Sequence, residues 1–173
     1  MKPKISPAEI SDMLFPINNR IRNINRGGCG IAAVSLHNEL VKHGYKPTIV
    51  SMNNYKTGLK EIEEYRKEFL PMIRRARKNG FSPARGAHNH YMVRIGNYLL
   101  DTRGSFQIQK KKNGLVFIEY AIHNRESFIL GKISVEDLTY LNDVSWAWNS
   151  SFRRSSIPSV QRLIKTQLSK IFN

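Results

Sequence analysis

From Ser6 onward, apolar and polar positions alternate with the period of a helix, placing Ile10, Met13, Leu14 and Ile17 on one stripe. Ser6-Pro7-Ala8-Glu9 supplies a capping box with proline at the first helical position. A short helix is therefore expected to open the chain and to end near Pro16. After a polar segment rich in Asn and Arg, Ile31, Ala33, Val34, Leu36, Leu40 and Val41 form a broader apolar face that stops at Gly44. That pattern predicts a second, mostly buried helix beginning at Cys29. "YKPTIVSM", from Tyr45, has the composition of a strand, and Leu59, Ile62, Phe69 and Ile73 mark a charged amphipathic helix interrupted at Pro71.

Beyond the loop "GFSPARGA", from Gly80, the pattern changes to that of strands. "HYMVRI" and "YLLD" are apolar runs joined by Gly96-Asn97, a two-residue hairpin turn. "GLVFIEYAI" predicts another strand, and Phe128 to Leu130 a further one. Ser134-Val135-Glu136-Asp137 reads as a helix cap. A last helix, capped by Ser156 or Ser159, carries Val160, Leu163, Ile164, Leu168 and Ile171 on one stripe. Helices first and an antiparallel sheet afterwards make an α+β fold. With 173 residues and no internal repeat or linker, one domain is expected over residues 1–173, with its core at about 20–130 and the C-terminal helix at about 157–172.

Composition narrows the class. No apolar run is long enough to cross a bilayer, and the start "MKPKISPAEISDM" lacks the apolar centre of a signal peptide, so no membrane partner is expected. One cysteine can form neither an internal disulfide nor the paired CxxC of a zinc ribbon, which fits a reducing cytoplasm, a host cytoplasm if the chain is viral. Lys and Arg number 28 against 13 Asp and Glu, a formal charge of +15 that attracts polyanions. An acidic protein or a nucleic acid is thus a candidate partner. The basic clusters are Arg74, Arg75, Arg77 and Lys78, and Lys110, Lys111 and Lys112; such runs are more often solvated faces than binding sites.

The single cysteine changes the picture most. In "NRGGCGIAAVSLHNELVKHG", Cys29 stands where a Gly-rich turn hands over to a helix, whose first N–H groups favour thiolate over thiol. Alternatively, the glycines form a tight turn and Cys29 packs as a small hydrophobe. A base decides between these readings. His90 opens the first strand of the hairpin and Asp101 closes the second, so the two can be cross-strand neighbours. A carboxylate there would fix the imidazole tautomer and leave its other nitrogen for the thiol. His88 is the alternative base. His37 and His43 belong to the surface or caps of the Cys29 helix, and His123 to a turn. Zinc is the rival chemistry for Cys29, His88, His90 and Asp101, but the spacing differs from structural zinc sites, and neither metal nor cofactor is expected.

The order "GGCGIAAVSLHNEL", "HYMVRI", "YLLDTRG" resembles the papain-like cysteine hydrolases in the broad sense, which include transglutaminase-like and bacteriocin-processing (C39-like) peptidases. The resemblance spans about Asn23 to Gly104, and Cys-Gly is nearer the C39 type than the Cys-Trp of papains. It implies a papain-like fold and a thiol hydrolase or acyltransferase acting on an amide, isopeptide or thioester bond of a peptide or protein substrate. Cys29, His90 and Asp101 would then be the triad. It also implies a side-chain amide shortly before the nucleophile as oxyanion donor, where Asn23 is the best placed and Asn25 the next, although the family usually has glutamine there. The competing reading is a basic binding protein for nucleic acid or an acidic partner, built on a non-catalytic scaffold of this kind.

Overall fold

The computed structural model describes residues 5–25, 27–53, 59–82, 89–110, 116–120, 125–144, 152 and 154–172. Ser6 caps the first helix, α1 (Pro7–Arg20), as its motif requires: the Ser6 hydroxyl accepts from the Glu9 N–H, and the Glu9 carboxylate accepts from the Ser6 N–H. The helix runs through Pro16 instead of ending there. Proline removes one hydrogen bond to the preceding turn, at a cost of about 3 kcal/mol. Ile17, fully buried with Ile10 and Leu14 against the last helix, lies one residue beyond it and offsets that cost by keeping the stripe in register. The same balance holds in α3 (Leu59–Asn79), which is unbroken at Pro71 because Phe69 and Ile73, on either side, are both buried.

Helix α2 (Cys29–Lys42) stops at His43 and Gly44, whose φ of +80° favours glycine. Its buried face is wide, as the pattern predicts, but Val41 is half exposed. The strands are β1 (Thr48–Asn53), β2 (Asn89–Ile95), β3 (Tyr98–Asp101), β4 (Gly104–Gln107), β5 (Gln109–Lys110), β6 (Val116–Tyr120) and β7 (Arg125–Ile133). Helices α4 (Val135–Val144) and α5 (Ile157–Phe172) follow; the Ser134 hydroxyl accepts from the Asp137 N–H, and Ser156, not Ser159, immediately precedes α5.

The seven strands among the described residues join one antiparallel sheet in the order β4-β3-β2-β1-β7-β6-β5, so the chain is α+β. Strand β1, contributed by the helical half of the sequence, lies at the centre and bridges the hairpin to β7. The alternation of β2 serves two cores. Tyr91 and Val93 pack with α2, whereas Met92 joins Val50, Met52 and Leu99 in a second cluster. Strands β4 and β5 match no strand predicted from the sequence, since three half-exposed residues and three exposed ones carry too few apolar positions to signal a strand.

α2 is the hub of the layer. It contacts β2, α4 and α5, so its N-terminus is fixed from the sheet side and the helix side together. Among the described residues no helix is long and apolar enough to cross a membrane.

A candidate thiol site at the start of helix α2

The glycines around Cys29 have different duties. Gly27 takes a φ of +113°, the conformation expected of a Gly-rich turn. Gly28 and Gly30 are present for close approach: a Cβ at Gly28 would lie 2.7 Å from the Phe152 ring, and one at Gly30 would run into the Asn142 side-chain oxygen. Cys29 is thereby seated as the first residue of α2. Among the described residues no side chain caps this helix and no acid sits in its first turn, which leaves the positive end to the sulfur. The backbone N–H groups of Gly30 and Tyr91 both donate to Sγ. Cys29 is buried, 8% exposed as a residue, and a cavity of about 10 Å³ lies beside it, lined mainly by apolar groups such as Leu14, Leu36 and Ile164.

His90 stands next to this sulfur and hydrogen-bonds it through its side chain. Its Nε2 lies 2.7 Å from Asp101 Oδ2, with both residues buried. Two unprotonated acceptors cannot approach so closely, so Nε2 carries a hydrogen and donates it to the carboxylate. The tautomer is fixed by this neighbour, and Nδ1 is left to face the sulfur. The pairing is diagonal, unlike the side-by-side arrangement expected from the hairpin. Val93 pairs with Leu100 across the hairpin, and continuing that register sets Asp101 opposite Met92; His90 reaches it from two residues further along the strand.

Arg103 completes the arrangement. Its backbone N–H donates to Asp101 Oδ1 at 2.7 Å, closing a turn in which an Asp side chain binds the N–H two residues on. Its Nε and Nη2 donate to Oδ2 at 3.1 and 3.0 Å. Nη2 also lies 3.1 Å from His90 Nε2. Since both nitrogens carry hydrogens aimed at Oδ2, that contact is an approach of two donors around a shared acceptor.

These neighbours reshape the proton affinities. Burial raises the Cys29 pKa, but the hydrogen bond and charge of His90, with the Tyr91 and Gly30 N–H groups, outweigh it and bring the thiol below its ordinary 9.0. Burial would lower His90; the Asp101 hydrogen bond and the adjacent sulfur reverse this and raise it to about 9 from 6.5. For Asp101 too, burial opposes ionisation, and His90 and Arg103 hold the carboxyl far below the usual carboxylate range. Both shifts favour a thiolate beside an imidazolium.

A pH signature follows from these directions. The raised His90 pKa stabilises the fold fully below about 6.5 and loses that contribution as pH climbs through about 9. The lowered Cys29 pKa works oppositely, its contribution growing as pH rises toward 9.0. Wherever the thiol is ionised in the fold between these limits, the pair binds one proton in either state, on nitrogen when folded and on sulfur when unfolded, and the two contributions offset each other. The wild-type melting temperature is therefore expected to decline less from pH 6.5 to 9 than the raised His90 alone would make it, and to fall in acid as Asp101 protonates below its ordinary 3.8. In Cys29→Ser the compensation disappears, and stability should decline from pH 6.5 upward. A wild-type decline as steep as that of Cys29→Ser would contradict the ion pair.

Other residues singled out by sequence occupy different places. Asn23 adopts a φ of +60°, a left-handed turn conformation that asparagine tolerates. Asn25 lines the cavity beside Cys29, but Nδ2 donates to both Asn18 Oδ1 and Thr102 Oγ1, at 2.9 Å each. In this orientation its two hydrogens tie the segment before Cys29 to α1 and to the turn after Asp101. His88, Lys111, Lys112 and His123 lie outside the described residues. Arg74, Arg75 and Lys78 are exposed on α3 and Lys110 on β5, while Arg77 is held by the buried Asp137 at 2.6 Å. His43 stacks on Phe172 with ring centroids 4.0 Å apart. Among the described residues no group of three or more His, Cys, Asp or Glu is placed to hold a metal ion; Cys29, His90 and Asp101 form a line with the imidazole in the middle.

Sequence reasoning missed Arg103 and the two backbone donors to sulfur. The signal for Arg103 was present in "DTRG", an Asp followed two residues later by a cation within a turn. Comparison with protein-family models, with curated proteins and with solved structures found no match for the chain.

Proposed function

We propose that the chain is a cysteine-dependent hydrolase or acyltransferase on a papain-like scaffold, acting on an amide, isopeptide or thioester bond of a peptide or protein. The observation that carries this reading is the buried line Cys29–His90–Asp101 at the open N-terminus of α2. Cys29 thiolate attacks the carbonyl carbon, forming a carbon–sulfur bond and moving the carbonyl electron pair onto oxygen. The Cys29 N–H, at the positive end of α2, would donate to that oxygen. Collapse expels the amine or thiol, which takes the proton from His90. Water or an amine then gives a proton back to His90 as it attacks the thioester, releasing the product and restoring the thiolate.

The test is intact-mass analysis after incubation with a panel of peptide amides, isopeptides and thioesters, with alkylation of Cys29 followed alongside. An acyl adduct on Cys29 is expected, lost in Cys29→Ala. Iodoacetamide should also react at pH 6 faster than with a free thiol titrating at about 8.5. No adduct on any probe, together with ordinary thiol titration, would overturn the reading. One surface feature favours a binding module as the second reading: Arg74, Arg75 and Lys78 are all exposed at the end of α3. Steeply salt-dependent polyanion binding that survives Cys29→Ala, with no acyl adduct, would select it.

A further inference from the structure

We propose that Arg103 is a positioning residue that neutralises Asp101 and thereby sets the proton affinity of His90. The inference rests on the reading of Cys29 and His90 as a working pair, and adds a fourth side chain to it.

Three observations converge. The guanidinium delivers two N–H groups to Oδ2, the same oxygen that receives the His90 N–H. The Arg103 backbone N–H occupies Oδ1, so both carboxylate oxygens are tied and the plane of the carboxylate is fixed relative to the ring. Nη2 lies 3.1 Å from Nε2, close enough for its positive charge to bear directly on an imidazolium. The Arg103 side chain is 19% exposed, against 4% for Asp101, so the interaction is partly sheltered from solvent screening.

The consequence is a change in what Asp101 does. A lone buried carboxylate strongly favours imidazolium and holds its proton tightly. Paired with a guanidinium, Asp101 still accepts the Nε2 hydrogen and fixes the tautomer, but contributes little net charge. The ring keeps its orientation and releases its proton more readily. That release is what the second half of an acyl transfer requires, when the imidazole must protonate a leaving group and then serve as base. Among the described residues, the ionisable groups facing the ring are Cys29 from α2, Asp101 from β3 and Arg103 from the turn that follows. Strand β1 contributes Met52, opposite in register and uncharged.

The experiment follows the His90 ring by ¹H–¹⁵N NMR across pH, with the pH profile of Cys29 alkylation measured on the same samples. Arg103→Gln is expected to raise the His90 midpoint by about one pH unit and to extend the alkaline limit of the ion pair equally. Arg103→Lys gives a second measurement, independent of whether the glutamine variant folds. Lysine keeps the charge but not two donors on Oδ2 beside the ring, so a smaller rise of about half a unit is expected. No rise in either folded variant, or a fall, would overturn the proposal. Failure of the catalytic reading is separable: if no probe acylates Cys29 and yet the midpoint rises, Arg103 still sets the charge balance of a non-catalytic site.

Discussion

Replacing His90 by alanine is expected to slow alkylation of Cys29 at pH 6 by about a hundredfold and acyl transfer by about 10²- to 10⁴-fold, with little loss of fold. The first effect comes from the balance at sulfur. Burial is the largest influence on the thiol and raises its pKa; the ring supplies the next two, both lowering it. Without the ring, only the Tyr91 and Gly30 N–H groups oppose burial, and the sulfur returns to the protonated form. The fold survives because Asp101 keeps three donors from Arg103 after the imidazole is gone. Alkylation rate against pH, with a thermal melt as control, checks both halves. An unchanged rate at pH 6 would remove His90 from the site, and His88 would become the base to test.

The parts of this site that the sequence made legible were those that local chemistry dictates. A glycine-flanked cysteine followed by an apolar helical face marks a helix start, and Gly96-Asn97 between two apolar runs marks a hairpin that brings His90 and Asp101 to one end. What escaped depended on position in space. Gly28 and Gly30 look like turn glycines, whereas the structure requires them for contact with Phe152 and Asn142, residues more than a hundred positions away. Pro16 and Pro71 look like helix ends because the burial of their neighbours is a tertiary property that no local window contains. Asn25 looked like a free amide until Asn18 and Thr102 took its hydrogens. Arg103 was hidden for a different reason: among 28 basic residues, one more cation carries no signal unless its turn is read together with the carboxylate two residues before it.

That hidden cation alters what is expected of Asp101→Asn. In a simple triad the amide replaces the carboxylate with the fold intact and the rate reduced. Here every position around the carboxylate is already taken by a donor: the Arg103 N–H at Oδ1, and His90 Nε2 with Arg103 Nε and Nη2 at Oδ2. Whichever way the amide turns, its NH₂ meets a donor, and the guanidinium loses its counter-charge while the imidazolium remains beside it. Removing one partner of a buried pair in this manner costs about 3 kcal/mol. Asp101→Asn is therefore expected to lose about that much stability in a denaturant melt, besides losing activity. The double variant Asp101→Asn/Arg103→Gln removes the stranded cation and one set of opposing donors, so it should recover at least about 1 kcal/mol of the loss while activity stays low. Strictly additive losses in the double variant would mean that Asp101 and Arg103 are not energetically coupled. Full activity in the single Asp101→Asn variant would mean that the carboxylate is not needed to orient His90.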